Sequence, residues 1–186
     1  MTVNDMNTLF SLLALAADAA VVIMVVGWLT RSQLPVLGEL VEWAADRALL
    51  FGAIIAGVSM AGSLYYSEIA EFIPCTYCWY QRIAMYPLVL ILGMAAVRRD
   101  WFSRLPALTL AVIGLGWSIR HWTVQKWPGS GGSCSVTVPC STPYVDWRYG
   151  FITIPWMAGS AFALIITLLA ISALLDRETD QTDSDQ

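Results

Sequence analysis

Apolar runs long enough to cross a bilayer dominate the chain, and short polar breaks separate them. Residues 9–29, 48–66, 79–97, 105–122 and 151–175 each reach or approach the about 20 apolar residues that a spanning helix needs, and they predict five transmembrane helices. Between the first two, residues 31–47 contain Pro35 and Gly38, and Val36, Leu37, Leu40, Val41 and Trp43 fall on one side, the pattern of a short interfacial helix. Ala53, Gly57 and Ala61 recur every fourth residue in the second span and predict a stripe on which a neighbouring helix packs closely. Residues 98–104 make a tight hairpin loop, and residues 128–150 a longer, glycine- and proline-punctuated one. The polar, acidic stretch 176–186 predicts a disordered tail.

Composition agrees with this pattern. With 58% hydrophobic and 13% charged residues, the 186-residue chain does not suit a soluble globule. The first run has no basic residue before it, is long for a signal peptide and ends at Trp28-Leu29-Thr30-Arg31 without a cleavage site, so it is expected to be retained. Asp18 interrupts it, and an ionisable group at mid-span is either functional, or neutral or paired with another helix. Arg31, Arg47, Arg98, Arg99, Arg104 and Arg177 fall on one side of the five spans, against Arg82, Arg120, Lys126 and Arg148 on the other. The positive-inside rule therefore puts the 98–104 loop and the carboxyl tail in the cytoplasm and the amino terminus outside. No phosphate-binding glycine loop, nucleophile elbow or nucleic-acid patch is apparent, which leaves sulfur chemistry.

Cys75-x-x-Cys78 stands where the third span begins, just after Pro74. A helix opening there puts Cys78 in its first turn, where unpaired N–H groups and the helix dipole favour a thiolate, and Arg82 lies one turn further on the same face. Cys134 and Cys140 lie in the 128–150 loop, on the same side of the membrane as the first pair. Two structural disulfides, a four-thiolate zinc site and a redox relay are the possible readings. The five-residue gap between Cys134 and Cys140 and an oxidising outer compartment disfavour zinc. The other two readings stay open on the residues alone.

The run Cys75-Thr-Tyr-Cys78-Trp79-Tyr80-Gln81-Arg82-Ile83-Ala-Met85-Tyr86-Pro87 resembles the DsbB/BdbC family of bacterial membrane thiol:quinone oxidoreductases. So does Pro139-Cys140-Ser-Thr-Pro-Tyr144-Val-Asp-Trp147-Arg-Tyr-Gly150-Phe151-Ile-Thr-Ile-Pro155. The short gap in the second pair is closer to the BdbC branch. The resemblance covers residues 48–175 and implies an all-α integral membrane protein: a four-helix transmembrane bundle (32–175), here with one extra N-terminal helix (1–31) and an acidic cytoplasmic tail (176–186). It further implies a multi-pass protein of the bacterial cytoplasmic membrane that reoxidises a secreted, DsbA-like thioredoxin-fold dithiol and reduces a quinone, menaquinone or ubiquinone, with no metal. In that scheme the redox disulfides are Cys75–Cys78 and Cys134–Cys140. Cys134 is attacked by the partner, Cys140 passes the exchange to Cys75, and Cys78, as a thiolate, faces the quinone ring while Arg82 stabilises the developing oxyanion. Glycines around Cys134 would let it reach the partner. The resemblance places His121 beside the quinone as proton donor or hydrogen-bond partner. Trp79, Tyr80, Met85, Trp122, Trp147 and Trp156 are candidates to line the ring pocket or to form an interfacial belt. The rivals are a vitamin-K-epoxide-reductase-like quinone reductase, which the Trp-Tyr-Gln-Arg continuation disfavours, and a non-catalytic, disulfide-stapled membrane adaptor.

Overall fold

The computed structural model describes residues 2–130, 134, 138–145 and 147–184. Gly131 and Gly132, two of the glycines expected to loosen the chain around Cys134, lie outside the described residues. Six α-helices carry the fold: α1 (Val3–Thr30), α2 (Pro35–Asp46), α3 (Ala48–Leu64), α4 (Thr76–Arg98), α5 (Arg104–Lys126) and α6 (Ile154–Ser184). All but α2 are long and apolar enough to cross a membrane, in register with the five expected spans. They expose large apolar side chains, as with Val22, Leu90, Val97 and Leu105, which suits a lipid surround.

Local chemistry sets the helix ends. Thr2 and Asp5 form a reciprocal capping box at the start of α1. Pro35 sits at the opening of α2, which forms as the amphipathic pattern predicts. α3 relaxes into a wider π-turn over Tyr65–Ile69, so its span extends past residue 66. α5 runs a turn beyond the expected exit at residue 122, which keeps His121 inside. α6 begins at Ile154 rather than 151, because Tyr149 (φ 53°) and Gly150 (φ 84°) turn the chain first and Arg148 bridges to Ile152.

α3, α4, α5 and α6 form a closed ring, each packed on its two neighbours, and α1 lies over α6 with α2 folded back beside it. Leu88, Leu92, Phe162, Ile165 and Leu169 fill the centre and are fully buried. In lipid such packing rests on close fit rather than on exclusion of water. The small-residue stripe that supplies this fit on α3 is Ala48, Gly52 and Ala56: a Cβ at Gly52 would stand 3.0 Å from Leu92. The expected stripe of Ala53, Gly57 and Ala61 lies one residue away around the helix, and around Gly57 a Cβ would meet open space. A span that is apolar on every side carries two such stripes, and only the partner helix selects between them.

Two further features differ from expectation or resolve it. The acidic tail continues α6 to Ser184. Its residues contain neither glycine nor proline, and Arg104–Asp176 (2.6 Å) and Arg31–Glu178 (2.7 Å) tie the last spanning turns to the neighbouring helices. Asp18 accepts a 3.0 Å hydrogen bond from the Trp156 indole, so the mid-span acid pairs α1 with α6. The amino terminus lies at the cysteine end of the bundle, where Arg148 reaches Asn4, and the Arg104–Asp176 pair lies at the opposite end.

Candidate active site

Cys75 is the N-cap of α4, and its Sγ accepts the Cys78 backbone N–H at 3.4 Å. The Cys78 Sγ lies 3.1 Å away, with both residues as free thiols. The ring of His121, brought by the last turns of α5, places Nε2 3.5 Å from Cys75 Sγ and 3.2 Å from the Cys140 carbonyl oxygen. Cys140 is joined to Cys134 in a disulfide. One cluster thus gathers all four cysteines, with Tyr77, Trp117, Val124 and Val138 packed around them. Cys75 and Cys140 are buried, and Cys78 and Cys134 are partly open.

The thiolate-favouring position belongs to Cys75, whereas the helix-turn argument had given it to Cys78. The capping residue's sulfur, not the third residue's, receives a free N–H of the first turn, that of Cys78. Just outside the span, Cys75 is held well below the ordinary thiol range, first by the hydrogen bond from the Cys78 thiol and then by His121, against the opposing effect of burial.

Cys78 faces elsewhere. It lines a cavity of about 430 Å³ together with Gln81, Arg82 and Met85, the residues that follow on the same face of α4. Its remaining walls come from α3 and the turn after it, the segment just before α4, Tyr144, α6 and α1, and are mostly apolar. Ser63 of α3 fixes Arg82, accepting from Nε at 2.9 Å on its hydroxyl and from a terminal nitrogen at 2.8 Å on its carbonyl. Gln81 donates to Ser118 of α5 at 3.0 Å. α4 is therefore clamped on both sides next to its reactive end.

Of the expected pocket residues, Cys78, Arg82 and Met85 meet at the cavity, but Trp79, Tyr80, His121, Trp122, Trp147 and Trp156 do not line it. Trp79 is half exposed and lies under the Arg82 guanidinium. Trp122 packs edge-on against Trp147 and at a tilt against Trp156, beside the last loop. His121 stands between the cysteine pairs instead. Gln81, Tyr86 and Ser63 were not anticipated; the spacing from Cys78 could have pointed to Gln81, but no local signal marks Ser63. Cys75, Cys78 and His121 bring three donor atoms within 4.8 Å of one another. The Cys134–Cys140 bond takes two thiolates out of any four-thiolate zinc site.

The sequence profile of the family described as disulfide bond formation protein DsbB matches residues 45–175, a segment that holds all four cysteines, Arg82 and His121. The chain belongs to the DsbB family. A probable disulfide formation protein from Oceanobacillus iheyensis is 48% identical over 127 residues, 67% of this chain and 87% of that protein. Disulfide bond formation protein C of Bacillus subtilis is 51% identical over 120 residues, 63% of this chain and 86% of its own. A probable disulfide formation protein C from Halalkalibacterium halodurans is 45% identical over 123 residues, 64% and 88% of the two chains. No solved structure is a significant match to the chain. These relatives bear out the likeness to the C branch of the DsbB family, and the chain is a multi-pass membrane protein of disulfide formation. α1 lies wholly outside the segment that the DsbB profile matches.

Proposed function

We propose that the chain oxidises the dithiol of a secreted thioredoxin-fold oxidase of the DsbA type and delivers the two electrons to a membrane quinone. One observation carries this reading: the inner cysteine pair stands between two different environments. Cys75 touches His121, whose ring also meets Cys140, while Cys78 and Arg82 open onto a largely apolar cavity. A pair so placed can exchange disulfides on one side and meet a lipid-soluble oxidant on the other.

The exchange balances as follows. A partner thiolate attacks Cys134, forming a mixed disulfide and releasing Cys140 as a thiolate. Cys140 attacks Cys75 of the oxidised inner pair and releases Cys78. The partner's second thiolate displaces Cys134, and the oxidised partner leaves. Cys134 then attacks Cys140, which restores the outer disulfide and releases Cys75. The inner dithiol now holds the two electrons, and the bonding described above, inner thiols with an outer disulfide, corresponds to this state. A bound quinone, menaquinone or ubiquinone, supplies a two-electron, two-proton acceptor, so the inner disulfide re-forms as quinol is produced. Cys78 presents its sulfur at the cavity, Arg82 offers a fixed cation where negative charge develops, and His121 can hold a proton beside Cys75.

The same reading places the cysteine end outside the bacterial cytoplasmic membrane, the 98–104 loop and the 176–186 tail inside, and the amino terminus outside. Residues 32–175 form the reacting bundle and residues 1–31 an addition to it. The test uses purified protein with a reduced thioredoxin-fold dithiol and either quinone. Thiol loss should match quinol formation one disulfide per quinol. Thiols that stay reduced in the presence of both quinones would end the proposal.

A further inference from the structure

α1 is more than a membrane anchor. On one of its faces Phe10, Leu13, Ala14 and Ala17 follow one another at helical spacing, and all four line the cavity that holds Cys78 and Arg82. The family segment 45–175 supplies the other walls, so the cavity is closed on one side by a helix that lies outside that segment. The wall is held in register along its length. Arg148 bonds Asn4 near the amino end, Trp156 bonds Asp18 at 3.0 Å at mid-span, and Arg31 pairs with Glu178 at 2.7 Å beyond the carboxyl end.

The wall is also graded. At the cysteine end Phe10 fills the space over Gly62, where a Cβ would come within 2.6 Å of its ring. From there an aromatic row crosses the end of the cavity: Phe10 to Tyr66 at 5.8 Å, Tyr66 to Phe72 at 5.6 Å and Phe72 to Tyr144 at 4.7 Å between ring centroids. Tyr144 donates to the Ile73 carbonyl at 3.1 Å and locks the row to the segment before Cys75. Further along α1 the lining residues shrink to Ala14 and Ala17, opposite Ile54 and Ile55 of α3 and Leu164 of α6. The polar groups, Cys78, Arg82 and Ser63, therefore lie toward the closed aromatic end, and the apolar room extends away from them along the alanines.

We propose that α1 is the specificity wall of this site: a quinone ring seats against Cys78 and Arg82, and its isoprenoid chain runs along the Ala14–Ala17 face of α1. The proposal rests on the quinone reading given above and adds to it the element that selects the chain. Small residues there leave the width an isoprenoid chain occupies, and a large side chain would fill it.

The full-length protein provides the test. Ala17→Phe should raise the KM for an isoprenoid quinone relative to that for a quinone with no chain by about tenfold, the scale of discrimination that a filled apolar pocket gives. Val22→Phe, on the exposed face of α1 away from the cavity, should leave that ratio at the wild-type value. A ratio unchanged in Ala17→Phe, or shifted equally in both variants, would overturn the proposal. Because Ala17→Phe can disturb packing, wild-type protein is also labelled with a quinone whose chain carries a photoreactive group at its far end. Label recovered in α1 between Leu13 and Ala17 supports the proposal, and label confined to α3, α4 or α6 overturns it. Wild-type protein that reduces no quinone and takes no label removes the quinone reading itself, and the role of α1 with it.

Discussion

The two cysteine pairs are built on opposite principles. Cys75 and Cys78 are set into the start of a clamped helix, with Ser63 gripping Arg82 on one side and Ser118 meeting Gln81 on the other. Cys134 and Cys140 belong to the loop between α5 and α6, where the Cys140 carbonyl meets His121. The rigid pair can present a sulfur to a cavity at constant geometry, and the loop pair can be approached from outside and still return to the same histidine. Fixed geometry suits electron delivery to a small molecule, and an accessible loop suits exchange with a protein.

The sharpest way to break this contrast is to remove one sulfur from each pair. Cys78→Ser should abolish quinone reduction, at least about 10³-fold below wild type, since no other group restores a nucleophilic sulfur at the cavity. The outer pair should still oxidise about one equivalent of partner dithiol in that variant. Cys75→Ser should do the same. Continued turnover in either would mean that the rigid pair is not the exit. Cys140→Ser tests the other side. In this variant, with Cys134 first capped as a mixed disulfide with a small aromatic thiol, a partner that lacks its second cysteine should displace the small thiol and stay bonded to Cys134 on a non-reducing gel, because neither Cys140 nor a second partner thiol is there to displace it. Mass spectrometry that finds the partner on Cys75 or Cys78 instead would reverse the assigned order.

Sequence carried these two regions unequally, and the reason is physical. The five spans and the amphipathic α2 could be read directly, because a bilayer demands long apolar runs and an interface demands one apolar side. The shared face of Cys78, Arg82 and Met85 also follows from spacing along a single helix. What spacing could not supply was contact between helices. Ser63 as the seat of Arg82, Ala48–Gly52–Ala56 as the packing stripe and α1 as a wall each depend on a residue far away in the chain. The family resemblance places His121 beside the quinone, whereas α5 runs another turn and buries it against Cys75. The tail was read from composition as unstructured, yet α6 runs into it and no residue there breaks a helix.

Arg82 tests the rigid region at an intermediate scale. Arg82→Ala should lower kcat with the quinone by about 10²-fold, the usual cost of losing a donor placed at a developing anion. Partner oxidation by the outer pair should not change. Arg82→Lys keeps the charge but loses the fork that grips Ser63, and should recover only part of the rate. Ser63→Ala should weaken the reaction less than either, because it loosens the guanidinium without removing it.

The smallest effect, and the one that separates the two sides of the inner pair, is the titration of Cys75. Its thiol is depressed first by the hydrogen bond from Cys78 and then by His121, so the two contributions should come apart in variants. In reduced protein the ultraviolet thiolate absorbance should persist as pH falls below the ordinary thiol value of about 8.5, and disappear only at the lowered value of Cys75. Cys75→Ser should remove that step. Cys78→Ala should move it upward by the larger amount and His121→Ala by the smaller. The linkage has a definite sign: a depressed pKa contributes stability to the folded dithiol that is fully present above the ordinary thiol pKa and is lost as pH falls through the lowered one. Chemical denaturation of the reduced protein should therefore show stability declining toward acid, and Cys75→Ser should flatten that decline. If His121→Ala moved the step more than Cys78→Ala, Cys75 would be governed from the loop side, through the histidine that holds Cys140, and the division between a self-contained rigid pair and an adaptable loop pair would have to be redrawn.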